Sequence, residues 1–295
     1  LLNMRKKLHV DGEGDLIPAH KQLEMSLWLG YEDIDSFTRE VQWILSEVSF
    51  YADWVIERAR NSSLKLMNYS RKRLRTMQSA FEFLQQDSSV LAQEVVRRHL
   101  PILMKDLSQQ KMLKGLLLHK NFSTKWGEAY VVALFRSGLL AECVPELKRV
   151  RGLVQHDQYH RYTVDAHLLQ CLREIIRVQN KPKVLGKLAP LVRAMSAKDW
   201  KILWWTGLYH DLAKGRMGDH STEGAQLVKS EFTQMKVSLR LTIEVSWMVE
   251  SHLLLSTAAF RRNPQAKGTW SFLHERGVKD QRLKRLALFT AIDME

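Results

Sequence analysis

Long stretches of this chain repeat apolar residues at three- and four-residue spacing, and only 6 prolines interrupt 295 residues. An α-helix turns every ~3.6 residues, so this spacing lines up one apolar face per helix and constrains the fold more than any other feature. Residues 34–60 are the clearest case. Ile34, Phe37, Val41, Ile44, Leu45, Val48 and Tyr51 fall along one stripe, and Asp35 or Ser36 is placed to cap its start. Residues 64–86 and 89–106 give two more helical segments, the second of which Pro101 should kink or restart. Residues 107–150 read as shorter helices, one capped by Ser123-Thr124 and running to Arg136, with Gly138 as its stop. Strand signals are few, and residues 12–18 and 263–268 read as loops. The expected fold class is all-α.

A chain of this length can bury a substantial core, as one large helical domain or two smaller ones. A soft boundary falls near residue 150. No glycine-, serine- or proline-rich linker marks it, so the parts on either side are expected to pack together. No apolar run is long enough to span a membrane, and the first fifteen residues lack the pattern of a secretory signal, so a cytoplasmic location is expected. Cys143 and Cys171 form no C-x-x-C pair, which argues against a zinc knuckle or a redox motif. The formal net charge of +13 favours anionic partners in general. Its basic runs at 71–75, 96–98, 148–151 and 282–285 read as solvated helix faces rather than a nucleic-acid surface, since neither an aromatic-interleaved RNA motif nor finger spacing accompanies them.

Four local patterns carry chemistry: HDQYHRYTVDAHLL at 156–169, LYHDLAKGRMGDHS at 208–221, WMVESHLLLS at 247–256 and TAIDME at 290–295. In the second, His210 and Asp211 lie near the end of an apolar helix expected over Lys198–Ala213. Ser196 and Asp199 form a capping box at its start, and Gly215 and Gly218 stop it. A His-Asp pair at the end of a buried helix is costly unless something binds it. Imidazole with carboxylate suits a divalent manganese, iron or magnesium ion, and the two oxygens of Asp211 could bridge two ions. A single histidine on an apolar helix is more often a satisfied core residue. Here the combination matters: His, His-Asp, His, His and Asp, each beside an apolar helical segment.

The order H…HD…D resembles the HD phosphohydrolase superfamily. YHRYTVDAH, HDLAKGRMGDHS and VESHLLLS are similar to the HD domain of the bacterial PII uridylyltransferase/uridylyl-removing enzymes, and GLLAECVPELKRVRGLVQHD resembles the run-in to that domain. The early KKLHVDGEGDLIPAHKQLEMSLWLGYED resembles the helical region that follows the nucleotidyltransferase domain in that family. The resemblance is strong over 126–256 and looser over 1–125. It implies a helical linker or accessory region over 1–150 and an HD phosphohydrolase domain over 151–295. The chain shows no Gly-Ser plus Asp-x-Asp nucleotidyltransferase motif in 1–150 and no ACT domains, so it reads as a piece of a longer protein. Met217 stands where that family often has glycine, and Glu250-Ser251 precede His252 where other residues are common.

Carried over by position, the resemblance implies that His167, His210, Asp211 and Asp293 hold a first metal and that His220 and His252 help hold a second. The cofactor would be one or two divalent ions (manganese, magnesium or iron). Lys214 and Arg216, in the loop after the His-Asp pair, are candidates for gripping a phosphate, Arg216 in bidentate fashion. Asp211 and Lys214 would be the catalytic residues. Asp165 either orients a ligand or is a surface acid. His156-Asp157 and His160 flank the site, His274 lies in a charged loop, and Trp204-Trp205 pack in the core against the linker. The implied reaction is removal of UMP from a uridylylated tyrosine of a PII nitrogen-signalling protein, which is the implied partner. An HD hydrolase acting on a free or cyclic nucleotide, or a non-catalytic regulatory or nucleic-acid-binding module, remains open.

Overall fold

The computed structural model describes residues 4, 6–7, 17, 21–105, 127–154, 162–263 and 265–294. The expected cap at Ser123-Thr124, the residues His156, Asp157 and His160, and all of the 12–18 loop except Ile17 lie outside the described residues. Among the described residues there are helices and turns and no strand, an all-α fold. The first part contains α1 (Gln22–Trp28), α2 (Ile34–Arg60), α3 (Ser63–Arg71), α4 (Met77–Gln86), α5 (Val90–Leu103), α6 (Glu128–Arg136), α7 (Leu139–Cys143) and α8 (Glu146–Arg149). The second contains α9 (Val164–Asn180), a 3-10 turn (Pro182–Leu188), α10 (Ala189–Arg193), α11 (Ala197–Tyr209), α12 (His220–Gln234), α13 (Leu239–Ser251), α14 (Leu254–Arg261), α15 (Lys267–Glu275) and α16 (Asp280–Asp293).

Short polar side chains start these helices by accepting otherwise orphaned backbone N–H groups. Asp33 caps α2 by accepting from the Ser36 N–H at 2.6 Å, so the cap is neither Asp35 nor Ser36 as the sequence suggested. Thr76 and Ser79 form a capping box on α4, and Ser196 and Asp199 form the expected one on α11. The helical segment expected over 64–86 breaks in two at 72–76. α3 ends at Arg71, and the Thr76 capping box begins a new helix beyond the break. α5 runs through Pro101 to Leu103 without a restart. The loop expected over 263–268 is shorter, because α15 already begins at Lys267, and His274 sits in the last turn of that helix rather than in a loop.

One apolar cluster runs from Leu74 to Ile292 and is continuous across residue 150. Its centre is α11, which buries residues on every side: Trp200, Ile202, Leu203, Trp204, Trp205, Leu208 and Tyr209. A helix apolar all round belongs inside a core, and α11 packs against α9, α13 and α16. Trp204 and Trp205 are buried in this shared core, where Trp205 stacks edge-on against Phe232 of α12 and lies tilted on Tyr209. Two glycines allow the close packing. A Cβ at Gly207 would lie 2.6 Å from Ile175 Cδ1 of α9, and one at Gly224 would lie 2.9 Å from Val249 Cγ1 of α13.

α2 docks differently from the expectation. Phe37 and Phe50 are buried, but Leu45, Val48 and Tyr51 of the expected stripe are exposed. The inward face meets arginines of neighbouring elements. Arg97 sits over Phe50 at 4.1 Å and pairs with Glu47, Arg136 pairs with Asp53, and Arg151 stacks over Trp43 at 3.3 Å. Ile34, Phe37, Val41 and Ile44 of the stripe are buried or half-buried, and these cation–π and ion contacts lie along the same face from Trp43 onward.

Candidate metal centre

Each candidate donor stands at or near a helix end. His167 is in the first turn of α9, His210 is the C-cap of α11, and Asp211 lies in the turn just after it. α11 therefore ends at Tyr209, four residues before the expected Ala213, and the His-Asp pair forms its exit rather than its last turn. His220 opens α12 behind the N-cap Asp219, His252 is the C-cap of α13, and Asp293 closes α16. Helix ends leave backbone groups that fix side chains next to them. His210 Nδ1 donates to the Gly207 carbonyl at 3.1 Å and His252 Nδ1 to the Val249 carbonyl at 2.7 Å. A carbonyl only accepts, so both rings carry the proton on Nδ1 and are free to turn Nε2 toward the cluster.

The structure gathers all six residues around Asp211. On one side, His167 Nε2 lies 3.0 Å from Asp293 Oδ1 and 3.2 Å from His210 Nε2, and His210 Nε2 lies 3.1 Å from Asp293 Oδ1. Asp211 Oδ2 is 3.4 Å from His210 Nε2 and 3.8 Å from His167 Nε2. On the other side, Asp211 Oδ1 is 3.7 Å from His220 Nε2 and 3.9 Å from His252 Nε2. His167, His210 and Asp211 thus make one group with metal-ligand spacing, and Asp211, His220 and His252 make a second. The two oxygens of one carboxylate serve the two halves.

His210, Asp211 and His252 are almost completely buried. Burial opposes charge on His210, yet Asp211 and Asp293 overcome it and hold the imidazole up to about 10. Burial also works against the Asp293 carboxylate, but His210 and His167 keep it well below the usual range. His252, pressed by burial and then by the charge on His210, falls to about 4, and burial lowers His220 as well. Asp211 Oδ1 and His220 Nε2 are buried with no hydrogen-bond partner. An orphaned carboxylate oxygen facing two imidazole nitrogens is expensive in a protein interior, and a divalent cation would satisfy all three. Four imidazoles and two carboxylates suit manganese, iron or magnesium.

The loop 211–219 places its two cations differently. Lys214 Nζ reaches Asp211 Oδ2 at 2.7 Å, at the cluster itself. Arg216, expected to grip phosphate, donates through Nη2 to Glu146 Oε2 of α8 at 2.5 Å. Asp165 does not stand free on the surface, because its Oδ1 accepts the Gly152 N–H at 3.0 Å and ties the helix that carries His167 to the preceding segment. The sequence reading missed Cys171 and Glu146. Cys171 is one turn beyond His167 on α9, and its Sγ lies within 4.8 Å of the donor atoms of His210 and Asp293. Burial first, then the charges of Asp293 and Asp211, push its thiol well above its usual range. The four-residue spacing from His167 was the available signal. Glu146 lies seventy residues before Arg216, and no local pattern joins them.

Residues 166–293 match the HD domain family. The chain is similar to the bifunctional uridylyltransferase/uridylyl-removing enzyme of Gluconobacter oxydans, 33% identical over 213 residues, covering 70% of this chain and 22% of that protein. It is similar also to the enzyme of the same description from Pseudomonas aeruginosa, 39% identical over 130 residues, covering 43% of this chain and 14% of that protein. The chain therefore spans less than a quarter of the length of these curated relatives.

Proposed function

Since residues 166–293 form an HD domain homologous to uridylyl-removing enzymes, we propose that this chain is a metal-dependent phosphodiesterase that removes UMP from a uridylylated tyrosine of a PII-type signalling protein. The family match and the homology support a metal-dependent phosphohydrolase, and no helix of the described residues is long and apolar enough to cross a membrane. The observation that carries the reading is the buried Asp211 carboxylate, with Oδ2 toward His167 and His210 and its orphaned Oδ1 toward His220 and His252.

His167, His210, Asp211 and Asp293 would hold one divalent ion, and Asp211, His220 and His252 a second. When bound, such ions supply a water of lowered pKa and positive charge against the phosphoryl oxygens. The chain supplies the rest. Lys214, already at the cluster, adds a donor where charge accumulates on those oxygens. The Nδ1 contacts of His210 and His252 keep both rings from rotating away. No side-chain nucleophile is needed. The bond from phosphorus to the tyrosine oxygen breaks, a water oxygen joins phosphorus, and a proton returns to the tyrosine, leaving UMP and the bare hydroxyl.

The test is release of UMP from a uridylylated PII protein with and without manganese, beside a His210→Ala variant. The expected result is release that requires metal and is lost in the variant. Release that continues without metal, or in the variant, would overturn the proposal.

A further inference from the structure

We infer that Glu146 is a positioning residue for phosphate recognition: its carboxylate fixes the Arg216 guanidinium so that the donors left over face the phosphoester. The inference rests on the phosphohydrolase reading above and adds to it a residue from outside the HD domain.

Arg216 follows Lys214 by two residues, and Lys214 is at the metal cluster. The Glu146–Arg216 pair, at 2.5 Å, is partly sheltered, with side-chain exposures of 22% and 24%. Glu146 Oε2 also accepts from Arg149 Nη1 at 3.2 Å, a contact with a half-exposed side chain. A half-sheltered ion pair adds little to stability on its own, so stability gives a weak reason for an acid at this place. The geometry gives a better one. Glu146 takes up Arg216 Nη2, while Arg216 Nε is buried and has no hydrogen-bond partner. A guanidinium held at one nitrogen by an acid, in the loop that carries Lys214, is ordered before an anion arrives. Arginine otherwise loses much rotamer freedom on binding phosphate, and an acid that orders it beforehand removes that cost.

The backbone around the pair keeps it in register with the donors. Gly215 has φ +75°, and a Cβ there would lie 2.9 Å from Leu153 Cδ2, so the turn between Lys214 and Arg216 sits directly on Leu153. The Leu153 carbonyl accepts the Val164 N–H at 2.8 Å, at the start of the helix that carries His167. The neighbouring Gly152 N–H donates to Asp165 at 3.0 Å on the same helix. Residues 146–153 therefore touch both the loop and the ligand helix. The same segment meets α2, where Arg39 Nη1 donates to the Arg149 carbonyl at 3.3 Å.

The test uses the full chain loaded with manganese and inorganic phosphate as the probe, with affinity measured by calorimetry. The proteins compared are the parent, Glu146→Gln, Arg216→Ala, the double variant, and Glu146→Asp, which keeps the charge on a shorter arm. Arg216→Ala should weaken phosphate binding by roughly ten- to a hundredfold, the range for a charge-assisted contact. Glu146→Gln should weaken it about three- to tenfold, Glu146→Asp should recover part of that loss, and the double variant should bind no more weakly than Arg216→Ala alone. Unchanged affinity in Glu146→Gln, tighter binding in it (the mark of a restraint on Arg216), or a loss that adds in full to that of Arg216→Ala would overturn the inference. Thermal unfolding of each variant separates a misfolded chain from a mispositioned arginine. Turnover of a phosphodiester by the parent is measured separately, so failure of the proposed activity and failure of the Glu146 role give different results.

Discussion

Gly224→Ala should loosen the metal centre through packing alone. Gly224 lies on α12, four residues after His220, where that helix crosses α13. A Cβ there would meet Val249 Cγ1 at 2.9 Å, the Tyr209 carbonyl at 3.5 Å and the His210 carbonyl at 3.7 Å. Ordinary carbon contacts need ~3.5–4.0 Å, so a gap of up to about 1 Å must open. Val249 is fully buried and β-branched on a helix, so it has essentially one rotamer and cannot swing aside. The helices must part instead. Replacing a helical glycine with alanine gains about 0.8–1 kcal/mol, whereas overpacking of this kind costs about 1–3 kcal/mol. The expected net is a destabilisation of about 1 kcal/mol, or a fall in Tm of about 2–4 °C. Because parting α12 from α13 moves His220 relative to His252, manganese affinity should fall as well. Gly268→Ala is the control: Gly268 is also helical and nothing lies within 4 Å of the added atom, so that variant should be as stable as the parent or slightly more so. Differential scanning fluorimetry with a manganese titration reads both quantities. A Gly224→Ala protein as stable as Gly268→Ala, with parental manganese affinity, would refute the argument.

Three further predictions follow from the same contacts. Arg285, buried between Asp199 at 3.1 Å and Glu244 at 2.6 Å, joins the start of α11 to α13; Arg285→Met should lower the urea unfolding free energy by about 3 kcal/mol, the lower end for a broken buried pair because Glu244 keeps Arg282, and a loss under about 1 kcal/mol would show that the charges are not coupled. Glu244 resists burial through hydrogen bonds from Arg282 and Arg285, which leave its pKa below the usual value; its contribution is therefore present above the unfolded-state pKa of about 4.3 and disappears as pH falls through the lower folded value. The stability gap between the parent and Glu244→Gln should be full at pH 7 and close in acid, and a gap that widened in acid would contradict this sign. Manganese at a hundred times its Kd should stabilise the parent by about 2.7 kcal/mol per site, with a smaller gain in His252→Ala; equal gains in both proteins would mean that His252 is not a ligand.

Much of the architecture was legible because it depends on local rules. The apolar period and the absence of breakers bounded α2 at Ile34–Arg60, and Ser196-Asp199 announced the start of α11. The His210-Asp211 pair stood out because a His-Asp pair at the end of a buried helix is costly without a ligand, whereas His167, His220, His252 and Asp293 were picked out by the resemblance of their motifs to the HD family. What escaped the reading depends on distant partners. The first half of the α2 stripe, Ile34, Phe37, Val41 and Ile44, does face inward, but beyond it Phe50 is the buried residue, against Arg97 and Arg136, which are remote in sequence. The Glu146 partner of Arg216 could not be read because it lies in another helix, seventy residues earlier. The cap of α2 was misplaced for a smaller reason: three acids and a serine stand at 32–36, and only the backbone shows that Asp33 is the extended residue whose side chain turns inward.

The most direct test of a metal-dependent phosphodiesterase centred on Asp211 is hydrolysis of bis(p-nitrophenyl) phosphate during a manganese titration, in the parent and in Asp211→Asn. The substitution preserves shape and removes the charge that faces both halves of the cluster. Hydrolysis should rise with bound manganese, stop on chelation, and be absent from a folded Asp211→Asn protein. Hydrolysis that survives chelation, or that Asp211→Asn retains, would contradict the account.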